Sequence, residues 1–280
     1  VKEARFYEKQ DSRVRCLLCP HLCSIAENGI GLCGVRQNMG GTLVSINYGC
    51  ITAMHNDPVE KKPLCRFMPG TYTFSIGSFG CNLACPFCQN HEISKGHPRF
   101  AVYAPEDIVA AAINAGMPSV SYTYSEPVVF YEFMQDTAML AHEKGLKNIM
   151  VTNGYINKEP LAELLPVIDA VNIDLKSFDD TIYRNQLKGS LPPVMDTIAA
   201  VRAKCHVEVT MLIVPGISDS LTDIDRAARA LARIDENIPL HVSRYFPRYK
   251  YSEPETSLTT MQRAGEICKR YLKTVVLGNV

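Results

Sequence analysis

Apolar runs at residues 72–76, 120–124, 148–152, 170–175, 206–213 and 240–243 punctuate the chain from about position 71 onward. Longer stretches of mixed apolar and polar residues separate them, at 105–115, 128–144, 159–166, 194–204 and 222–234. The runs predict strands and the stretches predict helices. Pro105 followed by Glu106 and Asp107 makes a helix opening, and Gly145 a stop. A last helix over 259–271 and a short strand over 274–277 close the series. Six strand-then-helix repeats imply a parallel sheet with right-handed crossovers. An open doubly wound sheet and a barrel both fit that rhythm, and both place function at the carboxyl ends of the strands.

Residues 1–68 have another texture. They hold a first group of cysteines, the pair Gly40–Gly41, a strand-like run over 42–48 and a polar stretch over 56–63 that reads as a loop. We read 1–68 as a small metal-stapled cap and 69–280 as the α/β unit.

Composition narrows the function classes. A chain of 280 residues buries a substantial core, and 29 basic against 29 acidic residues leave no net charge. That balance gives no reason to expect nucleic acid or an acidic membrane surface as partner. Seven of the eleven cysteines sit in two tight groups. An odd total, no signal-peptide stretch and no long apolar run argue against a secreted disulfide scaffold, and clustered thiols in a reducing compartment are more often metal ligands. A cytoplasmic, oxygen-sensitive protein is expected. The first residue is Val1 rather than Met, so a processed or trimmed start is expected.

Residues 80–90 read Gly-Cys-Asn-Leu-Ala-Cys-Pro-Phe-Cys-Gln-Asn, on the loop after the first strand of the alternating region. Cys81, Cys85 and Cys88 give the spacing C-x3-C-x2-C. Three thiolates are one short of the set for a cubane cluster and one short of a closed zinc site. A cubane with three protein ligands leaves one iron free to be chelated by an amine and a carboxylate. A zinc knuckle with a distant fourth ligand and buried free thiols are the plainer alternatives.

This loop, with Phe87 before its last cysteine, resembles the signature of the radical S-adenosylmethionine (SAM) superfamily. The stretches at 31–38, 56–64, 69–70, 75–77, 88–94 and 239–247 narrow the resemblance to the radical SAM enzymes of the AmmeMemoRadiSam system, relatives of the pyruvate formate-lyase activating enzymes. The resemblance implies a partial (β/α)6 TIM-like barrel, with a 4Fe–4S cluster on Cys81, Cys85 and Cys88 and SAM across the strand ends. It also implies reductive cleavage of SAM and a ferredoxin or flavodoxin as electron donor. Memo-like and AMMECR1-like proteins are implied as partners.

Carried over residue by residue, the resemblance assigns SAM contacts to Phe87, to the ends of four strands and to His241 on the sixth strand. Tyr124, Ser125 and Glu126 match the family's Gly-Gly-Glu-Pro stretch, although Tyr124 and Ser125 stand where it has glycines; a helix cap with Ser125 as N-cap explains the same residues. Thr152 and Asn153 resemble part of an Asp-Thr-Asn-Gly stretch, but Val151 occupies the place of its aspartate, and Gly154 also reads as a turn residue. Asp174 and Lys176 lie two apart and share one strand face, which also suits a structural ion pair. Val214 and His241 are matched to the adenine pocket and the SAM sugar. Cys205, Cys268 and His206 are left as core or surface residues.

Cys16, Cys19, Cys23 and Cys33 form C-x2-C-x3-C-x9-C on glycine-containing loops. A closed structural zinc site is favoured. An auxiliary iron–sulfur cluster uses the same ligands, an unmetallated cap stays open, and His21 is a candidate substitute ligand. For function, the leading expectation is an activase-like enzyme that takes hydrogen from a protein. A small-molecule radical SAM enzyme and a non-catalytic metal or redox protein are the alternatives. The segment 60–62 either faces the site or forms a solvated turn.

Overall fold

The computed structural model describes residues 1–280. Its main sheet contains β1 (Ala53–Pro58), β2 (Tyr72–Gly77), β3 (Ser119–Tyr122), β4 (Lys147–Thr152), β5 (Ala170–Asp174), β6 (His206–Ile213), β7 (Leu240–Arg244) and β8 (Val275–Gly278), side by side in chain order. β1 runs antiparallel to β2, and every later neighbour is parallel. Six helices fill the crossovers: α1 (Pro105–Asn114), α2 (Tyr131–Glu143), α3 (Lys158–Leu164), α4 (Leu191–Arg202), α5 (Leu221–Asp235) and α6 (Leu258–Cys268).

The strand order never reverses, so right-handed crossovers put every helix on one face of the sheet. The other face has no helical cover and is buried by rolling up. A doubly wound sheet would need a reversal of order, and there is none. The fold is a partial barrel, with one apolar core between sheet and helices that includes Ile108, Phe133, Ile198, Leu231 and Met261. Each such side chain contributes about 1.5–3 kcal/mol by leaving water.

The inner face is more polar. At its amino end the segment after β1 folds under the barrel as a plug, where Val59 and Leu64 pack on Ile149 and Ala170. Asn172 donates to the Pro63 carbonyl at 2.8 Å, and the Glu208 carboxylate accepts the backbone N–H groups of Cys65 and Arg66 at 2.9 and 2.8 Å. The expected loop over 56–63 is therefore half strand and half plug. Its polar residues hid a strand that lies at the sheet edge and faces solvent along part of its length. The division expected after residue 68 also shifts, because β1 and the plug belong to the barrel.

Ahead of β1, two three-stranded antiparallel sheets form the cap, one from Lys2–Glu3, Thr42–Ser45 and Arg36–Met39, the other from Tyr7–Gln10, Arg13–Cys16 and Ser24–Ala26. Arg36 is buried and pairs with Glu132 of α2 at 2.8 Å, which docks the cap on the barrel. No helix is long and apolar enough to cross a membrane.

Candidate active site

The cysteine triplet lies on the loop that leaves the carboxyl end of β2. Gly80 turns the chain with a φ of +95°, a conformation glycine adopts freely. The Cys81 sulfur accepts the Leu83 N–H at 3.4 Å, and Asn153 holds its side-chain amide 3.8 Å away. Asn153 also donates to the Asn82 side-chain oxygen at 2.9 Å, so the ends of β2 and β4 are tied together beside the sulfur. Burial raises Cys85 to about 11, although Lys176 works in the opposite direction, and burial raises Cys81 further. Buried thiols of this kind lose their protons to a metal rather than to water. The triplet thus fits an iron–sulfur cluster, with Lys176 as a cation to balance the thiolates.

Glu126 organises the next two strand ends. Its Oε1 accepts the Thr152 hydroxyl at 2.6 Å and the Val128 N–H at 3.0 Å, and its Oε2 accepts the Asn153 N–H at 2.8 Å. Burial raises its pKa to about 7, against those hydrogen bonds. The cap of the helical turn Pro127–Phe130 is Glu126, not Ser125, because the Glu126 carboxylate reaches the free Val128 N–H. Ser125 instead leaves its hydroxyl buried and unpartnered.

Tyr124 adopts a left-handed backbone, φ +67°, where the related stretch has glycine. Its ring lies over Gly77, where any Cβ would stand 2.9 Å from the Tyr124 Cβ. Its carbonyl accepts the Asn90 amide at 2.8 Å and its hydroxyl donates to Asp57 at 2.5 Å. Asp174 and Lys176 form a 2.9 Å ion pair at the end of β5. Burial would lower the Lys176 pKa, but the charges of Asp174 and Cys85 outweigh it and raise it.

Phe87 is buried edge-on against Tyr251, whose hydroxyl donates to the Pro215 carbonyl at 2.6 Å. Tyr251 thereby joins the triplet loop to the turn at Val214, whose N–H meets the Ser218 hydroxyl at 2.8 Å. Sequence reasoning missed Tyr251, Asn82 and Lys95; the Lys95 ammonium donates to the Cys81 carbonyl at 2.8 Å. Asn82, inside the triplet motif, carried the one usable signal.

His241 is not brought to this site. It is the second residue of β7, at the amino end, and its Nε2 lies 2.6 Å from Glu208 Oε2. Glu208 is bound to the plug, so His241 belongs to the closed end of the barrel. A parallel strand runs from the closed end to the site, and His241 spends its Nε2 on the plug-bound Glu208 near that strand's start. In the segment 60–62, Glu60 and Lys61 form an exposed turn, with Glu60 accepting the Gly70 N–H, whereas Lys62 is buried, pairs with Asp57 at 2.6 Å and sits 4.7 Å over the Tyr124 ring.

Residues 75–231, more than half of the chain, match the Radical SAM superfamily. The chain belongs to this superfamily. Among relatives of this radical SAM protein, an uncharacterised protein of Methanocaldococcus jannaschii is 43% identical over the whole chain and 86% of its own length. The pyruvate formate-lyase 1-activating enzyme of Escherichia coli is 29% identical across 54% of this chain and 63% of that enzyme. Of solved structures, Streptococcus suis SuiB bound to S-adenosylmethionine matches at TM-score 0.58 and 16% identity, over 74% of this chain and 51% of SuiB. QueE from Escherichia coli matches at 0.51 and 14%, over 81% of this chain and 92% of that one. At those identities the two structures speak for the fold alone.

Proposed function

We infer that this radical SAM enzyme cleaves SAM in order to take a hydrogen atom from a protein or peptide, as an activase-like member of its superfamily. Cys81, Cys85 and Cys88 would hold the 4Fe–4S cluster. When bound, cluster and SAM supply the reductive chemistry that yields a 5′-deoxyadenosyl radical. The chain's own part is to position and to exclude water. Glu126 fixes Thr152 and Asn153, Asn153 holds its amide toward the Cys81 sulfur, and Asp174 with Lys176 offers a paired charge at the rim for the polar ends of SAM. Tyr251 ties Phe87 on the triplet loop to the turn after Val214.

The observation that carries the protein-directed reading is what fills the barrel beneath the site. Lys62, Asp57 and the plug occupy its lower interior with paired, buried side chains, and the half-buried Tyr124 reaches down to Asp57. That arrangement leaves a small substrate little room under the strand ends. An open groove of about 550 Å³ lies instead on the segment that follows the triplet loop, where His91, Glu92, Lys95, Arg99 and Tyr249 are among its walls. The likeness to an activating enzyme points the same way. The wider motifs favour the AmmeMemoRadiSam group, with Memo-like and AMMECR1-like proteins as candidate partners and a ferredoxin or flavodoxin as donor.

The test is anaerobic turnover with SAM and a deuterium-labelled candidate protein. Label recovered in 5′-deoxyadenosine is the expected result. Transfer from a metabolite and from no protein would show a small-molecule enzyme, and no 5′-deoxyadenosine under reducing conditions would leave a redox-binding protein.

A further inference from the structure

The cap cysteines form a second centre whose geometry departs from the zinc site favoured by their spacing. Cys16, Cys19, Cys23 and Cys33 line one cavity together with Arg36 and Asn82. No three of their sulfur atoms lie within 4.8 Å of one another. A single zinc with bonds near 2.3 Å draws four sulfurs to about 3.8 Å apart. A four-iron cubane holds its cysteine sulfurs about 6 Å apart. The triplet provides an internal comparison, because Cys81, Cys85 and Cys88 are likewise not within 4.8 Å of one another. The donors that do crowd to that distance, Cys65, Glu208 and His241, belong to the closed end of the barrel.

The cavity wall is furnished for an anionic, sulfur-rich occupant. Arg36 is 1% exposed, and its Nε is buried with no hydrogen-bond partner. Backbone N–H groups of Leu18, His21, Val35 and Arg36 approach the sulfurs of Cys16, Cys19 and Cys33. Such donors stabilise thiolate and sulfide charge. His21 is engaged elsewhere, with its Nε2 2.7 Å from the Asn82 carbonyl.

We propose that Cys16, Cys19, Cys23 and Cys33 hold a second four-iron iron–sulfur cluster, in direct contact with the loop that carries the triplet. The Cys33 carbonyl accepts the Cys81 N–H at 3.2 Å. A Cβ on Gly80 would stand 2.8 Å from that carbonyl oxygen, so the two loops meet as closely as a glycine permits. The proposal takes the triplet's cluster from the functional reading above, and the test separates the two.

Full-length protein is reconstituted anaerobically with iron and sulfide, and iron, sulfide and zinc are counted per chain. About eight irons are expected in the parent protein, and about four in Cys19→Ala/Cys23→Ala. The variant Cys81→Ala/Cys85→Ala/Cys88→Ala should also keep about four, with a reduced-state electron paramagnetic resonance signal that SAM no longer alters. Four irons plus one zinc that vanishes with the cap variant would overturn the proposal, as would four irons that are all lost with the triplet variant and no second metal. Should the cap variant not fold, the triplet variant decides alone: retained iron supports the second cluster and complete loss of iron refutes it. Iron missing only from the triplet would instead refute the functional reading.

Discussion

The two ends of the barrel use the same kinds of residue to opposite purpose. At the amino end, Asp57 accepts from Lys61, Lys62 and Tyr124, and Glu208 accepts from two backbone N–H groups and two histidines. Every buried charge there is answered, and the plug is fastened. At the carboxyl end the Asp174–Lys176 pair is partly exposed, the Ser125 hydroxyl has no partner, and burial holds the Glu126 carboxyl up to about 7. Buried carboxylates kept ionised by their donors fasten the amino end, whereas a carboxyl raised toward neutrality and a part-exposed ion pair mark the carboxyl end as the site.

The sharpest break between the ends is expected at Cys85. Cys85→Ala should lower 5′-deoxyadenosine formation by about a thousandfold or more while leaving the unfolding free energy of the metal-free chain within about 0.5 kcal/mol of the parent. Retained cleavage would remove the site from the carboxyl end. Lys62→Met should do the reverse. It strands the Asp57 carboxylate in the plug, so a urea titration should show a loss of about 3–5 kcal/mol. Adding Asp57→Leu should recover most of that loss, because an apolar pair of similar volume replaces the ion pair.

His241 tests whether the ends were assigned correctly. His241→Asn removes a partner of buried Glu208 and should cost about 1–3 kcal/mol, with the KM for SAM unchanged. A tenfold rise in KM at unchanged stability would return His241 to the SAM site. The same end governs acid stability. Burial favours protonation of Asp57 and Glu208, but their hydrogen bonds prevail and depress both pKa values below the ordinary 3.8 and 4.5. Their contribution is therefore complete above the unfolded pKa values and is lost as pH falls below about 4.5. Asp57→Asn should flatten that acid limb in a pH series of urea midpoints.

This division of labour was only half legible in the sequence. Alternating runs marked seven of the eight strands and their parallel pairing, but not the unbroken order of the sheet, because right-handed crossovers fit a doubly wound sheet as well. The triplet stood out because its spacing is rare and its chemistry needs little context. β1 was hidden, because an edge strand half open to water carries no apolar alternation. Lys62 was read as a solvated or site-facing charge, since nothing local shows that a lysine is buried against a carboxylate five residues earlier. His241 misled for another reason. It is second in its strand, toward the closed end, although the motif around it resembles a SAM-contacting stretch.

Tyr124 is the residue that spans the comparison, with its carbonyl at the site end on Asn90 and its hydroxyl at the closed end on Asp57. Tyr124→Phe keeps the ring over Gly77 and the Lys62 contact but deletes one of the three donors to a buried carboxylate. The expected cost is about 1 kcal/mol, the smallest of these effects, because Lys61 and Lys62 remain on Asp57. If the two ends are independent, SAM cleavage per folded molecule stays within about twofold of the parent. A larger fall, with unchanged iron content, would show that the hydroxyl sets the left-handed backbone at 124 and so the carbonyl above it. In that case the plug would be part of the site's own scaffold, and closing the barrel from below would position the strand ends where SAM binds.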